Sequence, residues 1–167
     1  MVFKVGLGLD SHRFTDKKKP LILGGVIIEN ARGLEADSDG DVVLHSLFNA
    51  ISQALGERSI GFYADSMCKE QGIKDSSEYL KIVRSHLDKQ GYVVNNIGVM
   101  IEAKEPRMEQ YVEKMKRSIS GFLKVRESDV GITITSGEGL TSFGRGKGIQ
   151  VSCVVSLIKE SFLRSIK

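Results

Sequence analysis

The period of the apolar positions changes several times along the chain, and each change marks an element. Val2–Leu9 and Leu21–Glu29 read as strands, joined by the polar, lysine-rich stretch Arg13–Lys19 that ends at Pro20. The cluster Ala36-Asp37-Ser38-Asp39-Gly40-Asp41 is rich in turn and cap formers. After it, Val43, Leu47, Ala50, Ile51 and Ala54 recur at helical spacing across Val42–Leu55, and Gly56 stops the run. Residues 57–75 are polar with only short apolar patches and read as irregular. Asp75-Ser76-Ser77-Glu78 has the form of a capping signal. It opens a helix through Leu80, Val83 and Leu87, with Gly91 as its stop.

Val94, Ile97, Val99 and Ile101 predict a strand over Tyr92–Ala103. Pro106 is expected to start a further helix, with Met108, Tyr111, Val112, Met115, Ile119 and Phe122 on one face. Val130–Thr135 and Ile149–Leu157 read as closing strands. Between them, Ser136–Gly148 holds five glycines and no apolar period. Two strands, two helices, a strand, a helix and two strands predict one mixed sheet carrying helices, an α+β (α/β layered) fold. No repeat, linker or low-complexity segment interrupts residues 1–167, which are expected to form a single domain large enough to bury a core without staples.

Composition narrows the function classes. A net charge of +3 is too small to argue for nucleic acid, although it can still attract an anionic small molecule. Lys17-Lys18-Lys19, the densest basic run, reads as a solvated loop. Cys68 and Cys153 lack a metal-type spacing; Cys153 reads as a buried strand residue and Cys68 as a loop residue. Two free thiols suggest a reducing compartment. No apolar run reaches the roughly 18 residues of a membrane helix. The first strand starts by about residue 2, so neither a signal nor a transit peptide is expected, and the expected location is cytoplasmic.

The candidate chemistry begins at Gly8-Leu9-Asp10-Ser11-His12. Asp10 and His12 stand two apart at the end of an extended run, so both side chains leave one face of the strand. His45, early in the first helix, could close the set. One carboxylate and two imidazoles suit zinc with a fourth position left open. Asp41, one helical turn before His45, could orient its ring or simply cap the helix. His86 lies among Arg84, Ser85, Asp88 and Lys89 and reads as solvated.

A second constellation is Thr133-Ile134-Thr135-Ser136-Gly137-Glu138-Gly139, followed by Gly144-Arg145-Gly146-Lys147-Gly148. Its glycines permit close backbone approach, and its hydroxyls and amides suit phosphate. Glu138 between two glycines could reach a hard divalent ion such as Mg²⁺ or Mn²⁺. The nucleotide-fold motifs fail here, because there is no Walker-type sequence and Gly6-x-Gly8 lacks a third glycine. Ser38, at a helix N-terminus, is a further perch for phosphate. The turn Ala103-Lys104-Glu105-Pro106-Arg107-Met108 by itself says only that a helix begins.

Together these segments resemble the 2-C-methyl-D-erythritol 2,4-cyclodiphosphate synthase family, nearly end to end. Its Gly-x-Asp-x-His motif is matched by Gly8 to His12, and its Ser-Asp-Gly-Asp-x-x-x-His by Ser38 to His45. The Pro-[Lys/Arg]-Met turn is matched by Pro106-Arg107-Met108, and the glutamate and Gly-Arg-Gly-x-Gly-Ile loop by Glu138 and Gly144 to Ile149.

The resemblance implies a homotrimer, its sheets around a central axis and its active sites between subunits. Asp10, His12 and His45 would hold one zinc ion per subunit, and Glu138 a magnesium or manganese ion. Ala103, Arg107 and Met108 would line a cytosine pocket, Thr135 and Ser136 would touch phosphates, and Arg145 would sit near an axis that can hold an isoprenoid-like phosphate. The implied reaction closes 4-diphosphocytidyl-2-C-methyl-D-erythritol 2-phosphate to the cyclic diphosphate and releases CMP.

The chain departs from the family pattern at the substrate end. Asp37 stands where a histidine is usual beside the 2-phosphate. Ser59-Ile60-Gly61 replaces the Asp-Ile-Gly that meets ribose, and Phe62-Tyr63-Ala64-Asp65 lacks the usual proline, leaving Asp65 as the contact to the methylerythritol hydroxyls. Two rival readings follow from these departures: a zinc hydrolase, and a member that binds nucleotide or isoprenoid phosphate without turnover.

Overall fold

The structure, a computed structural model, describes residues 1–165. Four strands form the main sheet in the order β1-β6-β4-β5: β1 (Phe3–Arg13), β6 (Gly148–Lys159), β4 (Tyr92–Glu102) and β5 (Val130–Thr135). β6 runs antiparallel to both β1 and β4, while β4 and β5 are parallel, so the sheet is mixed as expected. A parallel pair needs a crossover. That crossover contains α4 (Val112–Leu123), which packs on β5.

The helices cover one face. α1 (Val42–Leu55) lies against β1 and β6, with α3 (Ser76–Gln90) beside it. Two glycines set how closely α1 approaches. A Cβ on Gly6 would lie 2.0 Å from the Ala50 carbonyl oxygen, and one on Gly8 would lie 1.9 Å from that of Ser46. The helix therefore rests on bare β1 backbone, and its buried residues run almost all the way round, from Val42 and Val43 to Ile51 and Leu55.

Among the described residues, helix reaches the other face of the sheet only at its edge, where Phe162 near the C-terminus meets the Phe3 ring at 5.9 Å, and the middle of that face is bare. Val5, Leu7, Leu9, Met100 and Val154 stand there about half exposed or more, with Leu7 opposite Val154 and Gly98 next to it in the register. An isolated sheet rarely leaves so much contiguous apolar surface in water.

Several expectations are corrected. Leu21–Glu29 is not one strand but a hairpin of β2 (Leu21–Leu23) and β3 (Val26–Ile28). Gly24 and Gly25 both take positive φ, as a two-residue hairpin turn demands, so the glycine pair was the missed signal. Residues 57–75 are not irregular throughout, because α2 spans Ile60–Lys69. Ile60, Tyr63, Ala64 and Met67 pack its inner side against the core at helical spacing. Pro106 does not start a helix; a cis peptide joins it to Glu105, a single 3₁₀ turn follows at Glu109–Tyr111, and α4 begins at Val112. A bulge at Asn95 explains why Val94 and Ile97, three apart, both point inward. A short terminal helix, α5 (Glu160–Ser165), was not anticipated.

Candidate metal centre

The even-numbered residues of β1 face the helices. Where Gly6 and Gly8 hold α1 against the strand, Asp10 and His12 continue the same face just beyond, and His45, next to Ser46, lies over them. Asp10 Oδ2 lies 2.9 Å from His45 Nδ1 and 3.4 Å from His12 Nε2. One potential ligand atom from each of the three falls within 4.8 Å of the others. His45 is buried, while Asp10 and His12 are partly open to solvent, so the group closes on the protein side and opens on the other.

The hydrogen-bond chain behind His45 tests whether a cation fits. Asp39 is only an acceptor: Oδ2 takes the Ser76 N–H at 2.9 Å, and Oδ1 takes the Ser76 hydroxyl. The hydroxyl proton being committed to Asp39, Ser76 Oγ accepts from His45 Nε2–H at 2.8 Å. In the neutral ring, His45 Nδ1 then presents a lone pair to the Asp10 carboxylate at 2.9 Å. Without metal, a second ring proton on Nδ1 can donate to that carboxylate; with the ring neutral a cation can take the proton's place, and the donor set of one oxygen and two nitrogens matches zinc.

The metal-free state, with both imidazoles able to carry a proton toward Asp10, has its own electrostatics. Burial alone would raise the Asp10 carboxyl, but hydrogen bonds and charge from His12 and His45 outweigh it and hold it well below the usual carboxylate range. The Asp10 bond, with the Glu35 main chain adding to it, raises the His12 pKa.

A cleft of about 390 Å³ opens from this group. Asp10, His12 and His45 are joined in its lining by Asp37, Ser38, Gly61, Asp65, Cys68 and Tyr79. Asp37 is exposed, and Lys19 brackets it by donating to the carbonyls of Ala36 at 3.0 Å and Ser38 at 2.7 Å. Lys17 and Lys18 are exposed in a loop, as expected, whereas the Lys19 ammonium turns inward from it. Asp65 pairs with Lys69 at 3.6 Å. Ser59 is exposed at the start of α2 and does not line the cleft. Cys68 lies on α2 and faces the cleft, whereas Cys153 is buried as expected, with burial pushing its thiol up to about 12.

The remaining expected residues gather elsewhere. The Ala103 N–H donates to Thr135 O at 3.0 Å, Met108 is buried beneath the turn and Arg107 is exposed on it. Ser136 donates to Glu138 Oε1 at 2.8 Å, and Glu138 is exposed at φ 47°. Arg145 folds over the same loop, donating to Gly139 O at 3.2 Å and Leu140 O at 2.9 Å. Asp10 pairs with Val151, which pairs with Ile101, so this second group lies at the same end of the sheet. It is two to three strands away, roughly 10–14 Å at the usual strand spacing. The chain thus presents two half-sites, one acidic and metal-ready, the other a hydroxyl- and amide-rich loop.

One of the two roles open to Asp41 is seen, and the reading of His86 changes. Asp41 caps α1 and does not orient His45: its carboxylate takes the N–H groups of Val43 and Leu44 at 3.0 Å, Gly24 at 2.9 Å and Gly25 at 2.6 Å. Burial pushes that carboxyl up to about 6 even so. His86 is half-buried, with its ring 5.8 Å from Tyr63, and not merely solvated. Sequence reasoning missed Ser76 and Asp39 at the metal centre. Ser76 looked like part of a helix cap, and no local pattern links two residues 37 apart.

Comparison with known proteins agrees with the geometry. The chain is 41% identical over 160 residues to the 2-C-methyl-D-erythritol 2,4-cyclodiphosphate synthase of Chlamydia muridarum, covering 95% of this chain and 89% of the relative. The synthase of Chlamydia felis is also 41% identical, over 95% of this chain and 90% of its own. The Plasmodium falciparum IspF structure, a CDP complex, superposes with a TM-score of 0.82 at 29% identity, covering 95% of this chain and 97% of that one. The bifunctional IspDF of Campylobacter jejuni gives 0.82 at 32% identity, over 94% of this chain and 42% of that one. Residues 3–158 match the YgbB family across the whole of the sheet and its covering helices, and the chain belongs to that family.

Proposed function

We infer that this chain is a CMP-releasing cyclase of non-mevalonate isoprenoid precursor synthesis. It converts 4-diphosphocytidyl-2-C-methyl-D-erythritol 2-phosphate to 2-C-methyl-D-erythritol 2,4-cyclodiphosphate. The observation that carries this reading is the Asp10–His12–His45 group on the floor of the cleft, in a chain 41% identical to synthases of that name. Asp10, His12 and His45 would hold zinc, and Glu138 would hold magnesium or manganese. Bound there, the two cations would neutralise and align phosphate groups that otherwise repel each other.

The reaction asks little further of the chain. An oxygen of the substrate's own 2-phosphate forms the new bond to the β-phosphorus, the bond from that phosphorus to the bridging oxygen breaks, and CMP leaves with the electron pair. A phosphate oxygen is already a nucleophile, so no side chain has to remove a proton. The cleft must instead bind and orient. Ser38 and Asp65 border the methylerythritol end, with Ser59 and Gly61 at the entrance of α2 on the ribose side. Ala103, Arg107 and Met108 serve the base, Thr135 and Ser136 the phosphates, and Arg145 shapes the glycine-rich loop and faces any isoprenoid phosphate on the assembly axis. Asp37 brings a negative charge to the 2-phosphate, which the Lys19 ammonium offsets.

Two observations support a homotrimer with sites between subunits. The apolar sheet face around Leu7 and Val154 lacks a cover, and the metal half-site stands apart from the loop half-site within one chain. A second copy would supply both. A cytoplasmic location is consistent with the free Cys68 and Cys153, and no helix among the described residues is long and apolar enough to cross a membrane.

The test is CMP release from the diphosphocytidyl substrate with Zn²⁺ and Mg²⁺, followed by phosphorus NMR. CMP with a cyclic diphosphate is the expected result. CMP with an open-chain diphosphate would identify a hydrolase. Zinc uptake without turnover would identify a binding protein altered at Asp37 and Ser59.

A further inference from the structure

We propose that Asp39 and Ser76 are positioning residues that fix which nitrogen of His45 faces the cleft, and so make it a metal ligand. The inference rests on the metal reading above.

Three separate segments meet at this point. Asp39 belongs to the turn before α1, His45 to α1, and Ser76 to the first turn of α3. Ser76 is 1% exposed and His45 7%, so the bond between them is shielded from water. The Asp39 carboxylate accepts from Asp41 N–H at 3.1 Å as well as from the amide and hydroxyl of Ser76. Its own N–H is tied to Lys74 O at 2.8 Å. The carboxylate is therefore fixed from both sides, and it can only accept.

Direction follows from that. A serine hydroxyl can donate or accept toward an imidazole, and the two choices leave opposite nitrogens bare. Because Asp39 takes the hydroxyl proton, Ser76 can only accept from His45, and the proton rests on Nε2. In the neutral ring Nδ1, which faces Asp10, is then left with its lone pair. Without Asp39, the hydroxyl could turn and donate to Nε2, moving the ring proton to Nδ1, where it would oppose a metal. Such outer hydrogen bonds are a general means of fixing a ligand histidine. Here they also tie the start of α3 to the metal centre.

The experiment is zinc affinity by chelator competition for the wild type, Ser76→Ala, Asp39→Ala and the double variant, with circular dichroism to verify the fold. A nitrogen-15 NMR spectrum of the zinc-loaded wild type would report the His45 ring. Each single variant is expected to bind zinc about 10–100-fold more weakly. The double variant should be no worse than the weaker single one, because the residues act in series. The His45 signals should show a metal on Nδ1 and a proton on Nε2. Folded Ser76→Ala with wild-type affinity, additive losses, or zinc on Nε2 would each overturn the positioning role while leaving the metal centre standing. A wild type that takes up no zinc would overturn the metal reading and this inference with it.

Discussion

Replacing Gly8 by alanine tests how the metal group is assembled. The added Cβ would stand 1.9 Å from the Ser46 carbonyl oxygen and 2.5 Å from the Ala50 nitrogen, both backbone atoms of α1. Ordinary contact begins at 3.4 Å, so strand and helix must part by about 1.5 Å, one residue's rise along an α-helix. No side chain can move aside to absorb this. Overpacking of this kind costs about 1–3 kcal/mol, and for a domain of this size each kcal/mol lowers Tm by roughly 2–4 °C. Moving α1 carries His45 with it. A zinc ion tolerates ligand distances near 2.0–2.2 Å, so a displacement of this size should weaken zinc binding at least about tenfold. Gly121→Ala is the control: it lies in α4 with nothing within 4 Å of its Cβ, and alanine there should add about 0.5–1 kcal/mol. The assays are thermal melting and zinc competition on both variants. A Gly8→Ala protein with wild-type Tm and wild-type zinc affinity would refute the claim that bare backbone contact places His45.

Three further outcomes are expected. The Asp10 bond raises the His12 pKa, so in metal-free protein its stabilising contribution is full below 6.5 and is lost as pH rises through the higher folded value. With zinc bound the slope reverses, since ligands must be deprotonated; urea midpoints should fall from about pH 6 to about pH 8 without metal and rise with it, and parallel profiles would refute the argument. On the trimer proposal, wild-type protein should scatter light as three chains, and Val154→Asp, in the middle of the bare sheet face, should reduce that mass to the 18.4 kDa of one chain and abolish CMP release; a single-chain wild type would refute the trimer, and an intact Val154→Asp trimer would place the interface elsewhere. Asp37→His removes a negative charge from the cleft and should lower KM; an unchanged or higher KM would mean that the carboxylate turns away from the phosphate.

What the sequence determined by itself was what local physics encodes. α1 begins at Val42 and ends at Leu55 because an acid caps it and Gly56 takes a left-handed φ. The i, i+2 rule put Asp10 and His12 on one face of a strand before any partner was known. Where two local signals competed, the reading failed. The glycine pair at 24–25 splits an apolar run into a hairpin, and the polar surface of α2 hid its inward stripe. Only the tertiary structure could decide the rest. That His45 faces Asp10 depends on how closely Gly6 and Gly8 let a helix approach, and that Ser76 rather than Asp41 serves His45 depends on where α3 starts. These are distances between segments tens of residues apart. They are set by packing, and no local periodicity records them.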